Sequence, residues 1–230
     1  MTTFAVENHR NVALVGHGAT GKTTLADLIL HKTGIASRAG SVDDGSSLLD
    51  IDDDEKERKS SLSSAAVHCE HQGKRITLID APGYPDFIGQ AIGALRAVET
   101  AVIVINAHAG IEVNTRRMFG LAGNAGAGRM ILINKCDTDN VDYSQLIDDI
   151  QEMFGATCVP LNVPVGISES FSGVVSTLSA AESVPDGAQA DPADFNATLM
   201  DAIVEADEAL MERFLEGEEL SADEVSAGVS

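Results

Sequence analysis

With 230 residues the chain has room for one sizeable core and a smaller appendage, on a prior of about 100 to 200 residues per domain. Its 15 Lys and Arg against 36 Asp and Glu give a formal net charge of −21, which excludes nonspecific attraction to DNA or to an anionic membrane surface. Contact with RNA would have to come from a local basic patch or from regions outside this chain. Cys69, Cys136 and Cys158 form no CxxC pair and no Cys/His set with metal-ligand spacing, so reduced thiols are expected. The N-terminus MTTFAVENHR lacks the regions of a signal peptide, and no apolar run approaches the ~20 residues of a membrane span. A cytoplasmic protein is expected.

In chain order, NVALVG (11–16) predicts a strand ending in a glycine turn, and TTLADLILHKTG (23–34) a helix stopped by Gly34. Residues 37–62 are rich in charge and predict a solvated loop that packs no core. AAVHCEHQGKRITLID (65–80) reads as two strands joined by a tight turn at Gln72-Gly73. His68 and His71 stand three apart in the first of these, on opposite faces, and cannot readily share a metal. A helix over 87–100 puts Phe87, Ala91, Leu95 and Val98 on one face, and AVIVINA (101–107) is a continuous apolar strand of the kind a parallel sheet buries on both faces. A helix at 112–126, a buried strand MILINK (130–135) and an amphipathic helix at 144–154 follow. This alternation predicts a mostly parallel, three-layer α/β/α sheet spanning residues 1–157. From about 158 the pattern changes to two short strands (159–167, 172–178), an acidic connection and a helix carrying Phe195, Leu199, Ile203, Leu210 and Phe214, a subdomain over 158–230. From Glu182 onward Arg213 is the only basic residue, which predicts a solvated face.

GHGATGKT (16–23) fits the pattern G-x-x-x-x-G-K-[ST] between a strand and a helix. In such a loop backbone N–H groups and the helix N-terminus cradle phosphate, Lys22 reaches the β and γ phosphates, and the Thr23 hydroxyl is offered to Mg²⁺. The candidate phosphate contacts are therefore Gly16, His17, Gly18, Ala19, Thr20, Gly21, Lys22, Thr23 and Thr24. Asp80, at the end of the next core strand, is placed to hold Mg²⁺, usually through water, and Gly83 to offer its N–H to the γ phosphate; Ala81 and Pro82 lie between them. NKCD (Asn134, Lys135, Cys136, Asp137) follows a further apolar strand. Asp137 can accept hydrogen bonds from N1 and the 2-amino group of guanine, which adenine does not supply, while Asn134 and Lys135 support the base and the loop. GTP or GDP with Mg²⁺ is the expected ligand.

These motifs together resemble the translational GTPases, specifically elongation factor G and its elongation-factor-G-like relatives, and the resemblance covers nearly the whole chain. The family's GHVDAGKT, DTPGHVDF and NKMD stand here as GHGATGKT, DAPGYPDF and NKCD. EKERKSSLSSAA (55–66) is similar to the family's QERGITITSAA and aligns Ser61 with its Mg²⁺-binding threonine. VPLNVPVGISESFSGVV (159–175) and ALMERFLEGEELSADE (209–224) resemble an insertion in the family's GTPase domain that elongation factor Tu lacks. The resemblance implies GTP hydrolysis coupled to ribosomal translocation by a monomer with the ribosome as partner. It leaves two alternatives: a ribosome-associated regulatory switch with little hydrolysis, and a ribosome-protection or release factor with the same GTPase domain. Ser226-Ala227 has the letters of the family's fifth nucleotide motif but no apolar strand before it. An N-terminal fragment without that motif is expected, with weakened nucleotide affinity.

The same resemblance marks departures near the reacting phosphate. Gly18 and Ala19 replace Val and Asp, which in the family form a hydrophobic gate and help to order the reacting water; Ser61 replaces Thr and keeps a hydroxyl; Tyr84 replaces the catalytic His. Lys22, Gly83 and Tyr84 are thus the candidate catalytic residues and Thr23, Ser61 and Asp80 the candidate metal ligands. A tyrosine with an ordinary pKa near ~10 is a poor proton acceptor, and a positioned acid or base is typically worth ~10² to 10⁴ in rate. Slow hydrolysis is therefore expected, unless Tyr84 orients water as a neutral hydrogen bonder.

Overall fold

The computed structural model describes residues 4–178, 184–206, 208–215 and 224. The chain divides into two compact units, Met1–Lys135 and Cys136–Ser230.

The first unit is built on a five-stranded sheet with strand order β2-β3-β1-β4-β5. β1 (His9–Gly16) runs into the helix α1 (Lys22–Lys32), and a short helix α2 (Asp53–Arg58) precedes the hairpin of β2 (Ala65–His71) and β3 (Lys74–Asp80). The hairpin turns through Gln72 and Gly73 at φ 47° and 74°, the left-handed pair that a two-residue loop requires. After it come α3 (Ile88–Leu95), β4 (Thr100–Asn106), α4 (Val113–Ala125) and β5 (Gly128–Asn134). β1 pairs in parallel with both β3 and β4, and β4 with β5; only the edge strand β2 is antiparallel.

The period of two along each strand sorts its side chains between two cores. Ala13 and Val15 of β1 and Ala101 and Ile103 of β4 pack with Ala91, Ala94 and Leu95 of α3 and Met118 and Ala122 of α4. One residue out of step, Leu14, Val102 and Val104 pack with Ala26 and Leu30 of α1, together with Leu49 and Cys69. Helices thus cover both faces of the sheet. Each fully buried side chain of the size of Leu14, Leu30, Leu95 or Ile103 contributes about 1.5–3 kcal/mol, which fixes the strand ends from which the functional loops depart.

Two expectations for this unit need correction. The polar stretch 37–62 is not merely solvated: Leu49, Asp50 and Glu55 within it are buried. The reason is local satisfaction. Glu55 accepts hydrogen bonds from the backbone N–H groups of Ile51, Asp52, Leu62 and Ser63 at 2.9–3.2 Å, so this carboxylate organises the segment around itself. And β5 is the outer strand of the five, with Gly128, Arg129 and Met130 exposed rather than buried on both sides.

The second unit contains α5 (Tyr143–Phe154), an antiparallel pair β6 (Asn162–Val165) and β7 (Gly173–Ser176), and two helices, α6 (Pro192–Ala206) and α7 (Glu208–Leu215), where the pattern suggested one. Its small core joins Leu199 and Ile203 of α6 to Val159, Leu161 and Leu210. The unit begins before residue 158 because α5 is tied to the segment after it: Tyr143 Oη donates to the Asn162 carbonyl and Gln151 Nε2 to that of Cys158. Ser226-Ala227 lies outside the described residues. Among the described residues no helix is long and apolar enough to cross a membrane.

Candidate functional site

The loop after β1 is shaped by backbone positions that side chains tolerate poorly. Gly21, at φ 91°, caps α1, and a Cβ there would stand 2.5 Å from Asn134 Nδ2. Ala19, without the freedom of glycine, also sits at φ 60°. Asn134 at the end of β5 donates to the Thr20 carbonyl at 2.9 Å, and Lys135 Nζ to that of Ala19 at 3.0 Å. The first two residues of the NKCD motif thus brace the loop of the GHGATGKT motif from a neighbouring strand. Thr20 is fully buried and donates to the His17 carbonyl, whereas Thr24 faces solvent.

Beneath the loop Lys22 is buried, 6% exposed, with Nζ donating to the His17 carbonyl at 2.6 Å. Burial lowers its pKa to about 8, against the opposing pull of Asp80 and Glu112. Thr23 Oγ1 donates to Asp80 Oδ2 at 2.6 Å and lies 3.1 Å from Ser61 Oγ, which donates to Asp50 Oδ1 at 2.6 Å. The three candidate metal ligands are therefore brought together, with a fourth oxygen donor, Asp50, that the sequence did not single out. Asp80 is 1% exposed and burial raises its pKa to about 6; its Oδ1, like Oδ2 of Asp50, is buried without a hydrogen-bond partner. Burial also pushes the Asp50 carboxyl up.

Buried hard oxygens lacking a donor fit a hydrated divalent cation. Among the described residues no group of three His, Cys, Asp or Glu stands ready to hold a metal alone. Mg²⁺ needs none, since it keeps several waters and is held by one or two protein oxygens plus phosphates.

The segment Ala81–Gly83 is buried and lies on the loop: a Cβ at position 83 would collide with the His17 carbonyl and with Lys22 Nζ. Asn114 of α4, buried, donates from Nδ2 to the Gly83 carbonyl at 2.7 Å and so fixes the orientation of that peptide. Glu112, the N-cap of the same helix, places Oε1 3.4 Å from His17 Nε2. Sequence reasoning missed both Glu112 and Asn114, and no periodicity or motif marks them. Tyr84 is 45% exposed, with its ring against Gly18. Cys136 and Asp137 open the second unit; Cys136 is half-buried, its carbonyl accepting from Ser168 N at 3.0 Å, and Asp137 is exposed.

A glycine-cornered loop between the central strand and its helix, over a sheet covered by helices on both faces, is the construction of P-loop nucleotide-binding proteins. Within that class, the family described as "Elongation factor Tu GTP binding domain" matches residues 7–223, and the chain belongs to it. The chain is similar, at 34% identity over 227 residues, to a protein named elongation factor G-like protein from Thermotoga maritima, covering 96% of this chain and 32% of that protein. A crystal structure from Thermus thermophilus matches with a TM-score of 0.85 and 32% identity over 95% of this chain and 34% of that one. The chain thus spans about a third of the length of these relatives. It is a translational GTPase domain, of a family that binds guanine nucleotide and hydrolyses GTP.

Proposed function

We propose that this chain is the guanine-nucleotide switch of an elongation-factor-G-like protein acting on the ribosome in the cytoplasm, and that its GTP hydrolysis is slow beside that of a relative bearing histidine at position 84. The observation that carries the nucleotide reading is the convergence of Ser61 and Asp80 oxygens on Thr23, each within hydrogen-bonding reach of its hydroxyl, beside a buried Lys22.

The loop N–H groups of residues 18–23 and the N-terminus of α1 hold the phosphates. Lys22 exchanges the His17 carbonyl for phosphate oxygens, which stabilise its charge in a place that burial makes unfavourable for it. Thr23 and Ser61, by their hydroxyls, and Asp80, through water, are the residues that would hold Mg²⁺, which would supply positive charge to offset that of the phosphates. Asp50, within reach of Ser61, is a further acceptor for that water. Gly83, anchored through its carbonyl by Asn114, presents the N–H of its preceding peptide to the γ phosphate. Asp137 reads guanine, with Asn134 and Lys135 holding the loop below.

Tyr84 stands where the family places its histidine. Its neutral hydroxyl can align a water but is a poor acceptor of the water's proton. The test is ribosome-stimulated, multiple-turnover hydrolysis by the full-length protein: Tyr84→His should raise the rate toward the ~10² to 10⁴ typical of a positioned acid or base. An unchanged or lower rate would refute slow hydrolysis. If hydrolysis proves negligible while GTP binding is normal, the protein is a regulatory switch that holds the factor site, a reading which the same tyrosine favours.

A further inference from the structure

Resting on the nucleotide-site reading, we infer that Gly18 is the seat of Tyr84: the absence of a side chain at position 18 lets the tyrosine ring lie flat on the phosphate loop and positions its hydroxyl there. A Cβ built on Gly18 would meet Cζ, Cε1 and Cε2 of Tyr84 at 3.1, 3.2 and 3.3 Å. Three ring atoms at nearly one distance mean that the face of the ring, not its edge, covers this position. Gly18 is not in the left-handed region, so its backbone would accept a side chain. What such a side chain meets first is the ring.

The ring has little freedom to yield by moving its backbone. Before it, the Gly83 peptide is held by Asn114 and packed on His17 and Lys22. After it, Pro85 confines Tyr84 to the extended region, where it sits at φ −84° and ψ 143°. A Cβ alone would force a shift of a few tenths of an ångström; the branched methyls of valine leave no place for the ring on the loop. The two departures at positions 18 and 84 are therefore one structural change. The gate position is not left open by Gly18 but filled from the other side by Tyr84.

The pair can be read optically, because the chain has two tyrosines and no tryptophan, and Tyr143 is 4% exposed. Acrylamide quenching of tyrosine emission in this 230-residue chain therefore reports chiefly on Tyr84. In Gly18→Val the quenching constant should rise toward about twice its wild-type value, as a ring with both faces in solvent is met about twice as often as one with a face covered. Gly18→Ala should give a smaller rise in the same direction and serves if the valine variant does not fold by circular dichroism. Tyr84→Phe should remove the quenchable component. Quenching unchanged in a folded Gly18→Val or Gly18→Ala chain overturns the inference.

A second readout is hydrolysis by the full-length protein. Tyr84→Phe should cost about fivefold, as one neutral hydrogen bond does, when glycine stands at position 18, and nothing further in the Gly18→Val background. Independent, multiplying effects contradict the pairing. Failure of wild-type protein to bind GDP would sink the nucleotide reading instead, and leaves the quenching result standing by itself.

Discussion

Lys22 and Asp80 are both held in surroundings that favour their neutral forms, and that opposition gives the site a pH signature. For Asp80 the raised value of about 6 means that its contribution to stability is full below the ordinary 3.8 and is lost as pH rises through 6. For Lys22 the lowered value of about 8 means that its contribution is full above 10.5 and lost as pH falls through 8. Between about 6 and 8 both groups are charged and their burial opposes the fold, a cost that phosphate and Mg²⁺, bound as proposed, would relieve. Nucleotide affinity should therefore be greatest in this window. At about pH 8.5, above the second phosphate pKa of ~6, binding of Mg²⁺–GDP should take up protons at Lys22. Calorimetry in two buffers of different ionisation enthalpy measures that uptake, and Lys22→Met should abolish it. At Asn114 the expectation is steric and polar: Asn114→Leu leaves the Gly83 carbonyl buried without a donor, at about 1–3 kcal/mol. On the proposed reading Gly83 faces the γ phosphate, so the variant should lose affinity for a non-hydrolysable GTP analogue more than for GDP. Equal losses would show that Asn114 supports the fold alone.

At the scale of elements, the segment between α1 and β2 shows what a linear reading could and could not see. Its run of Asp and Glu predicts solvent, and most of those side chains are exposed. Glu55 departs from the rule because its partners are backbone N–H groups, which leave no trace in composition. Burial opposes its charge, but four such donors more than offset this and hold its carboxyl below the usual value. Order in this segment should persist above the ordinary value of 4.5 and decay as pH falls through the lowered one. The helix α2 ends at Lys59, whose φ of 52° is left-handed, where the family string QERGITITSAA carries glycine. A non-glycine residue there costs roughly 1–2 kcal/mol, so Lys59→Gly should raise stability by about 1 kcal/mol in urea unfolding. By contrast the strands, the two-sided core and the phosphate loop were legible, since each rests on periodicity or on a motif placed at a strand end. The contacts of Asp50, Glu112 and Asn114, and the seat of Tyr84 on Gly18, join residues far apart in sequence by single hydrogen bonds or by shape, and neither writes a pattern.

At the scale of the molecule, the central claim is that two features encoded far apart, a phosphate loop and a base-reading motif, serve one guanine nucleotide. The structure places Asn134 and Lys135 on the loop directly, through the Thr20 and Ala19 carbonyls. Asp137, in the exposed opening of the second unit, is the residue to which the proposed reading assigns the choice of base. An acceptor that a bound base covers without pairing costs about 1–3 kcal/mol, so a base that cannot donate to this carboxylate should bind about 10- to 100-fold more weakly. The direct measurement is competition of GDP and of ADP against a fluorescent GDP analogue on the full-length protein with Mg²⁺. The account predicts displacement by GDP, little displacement by ADP at a hundredfold excess, and loss of this discrimination in Asp137→Ala; equal displacement by the two nucleotides, or discrimination that survives without Asp137, would contradict it.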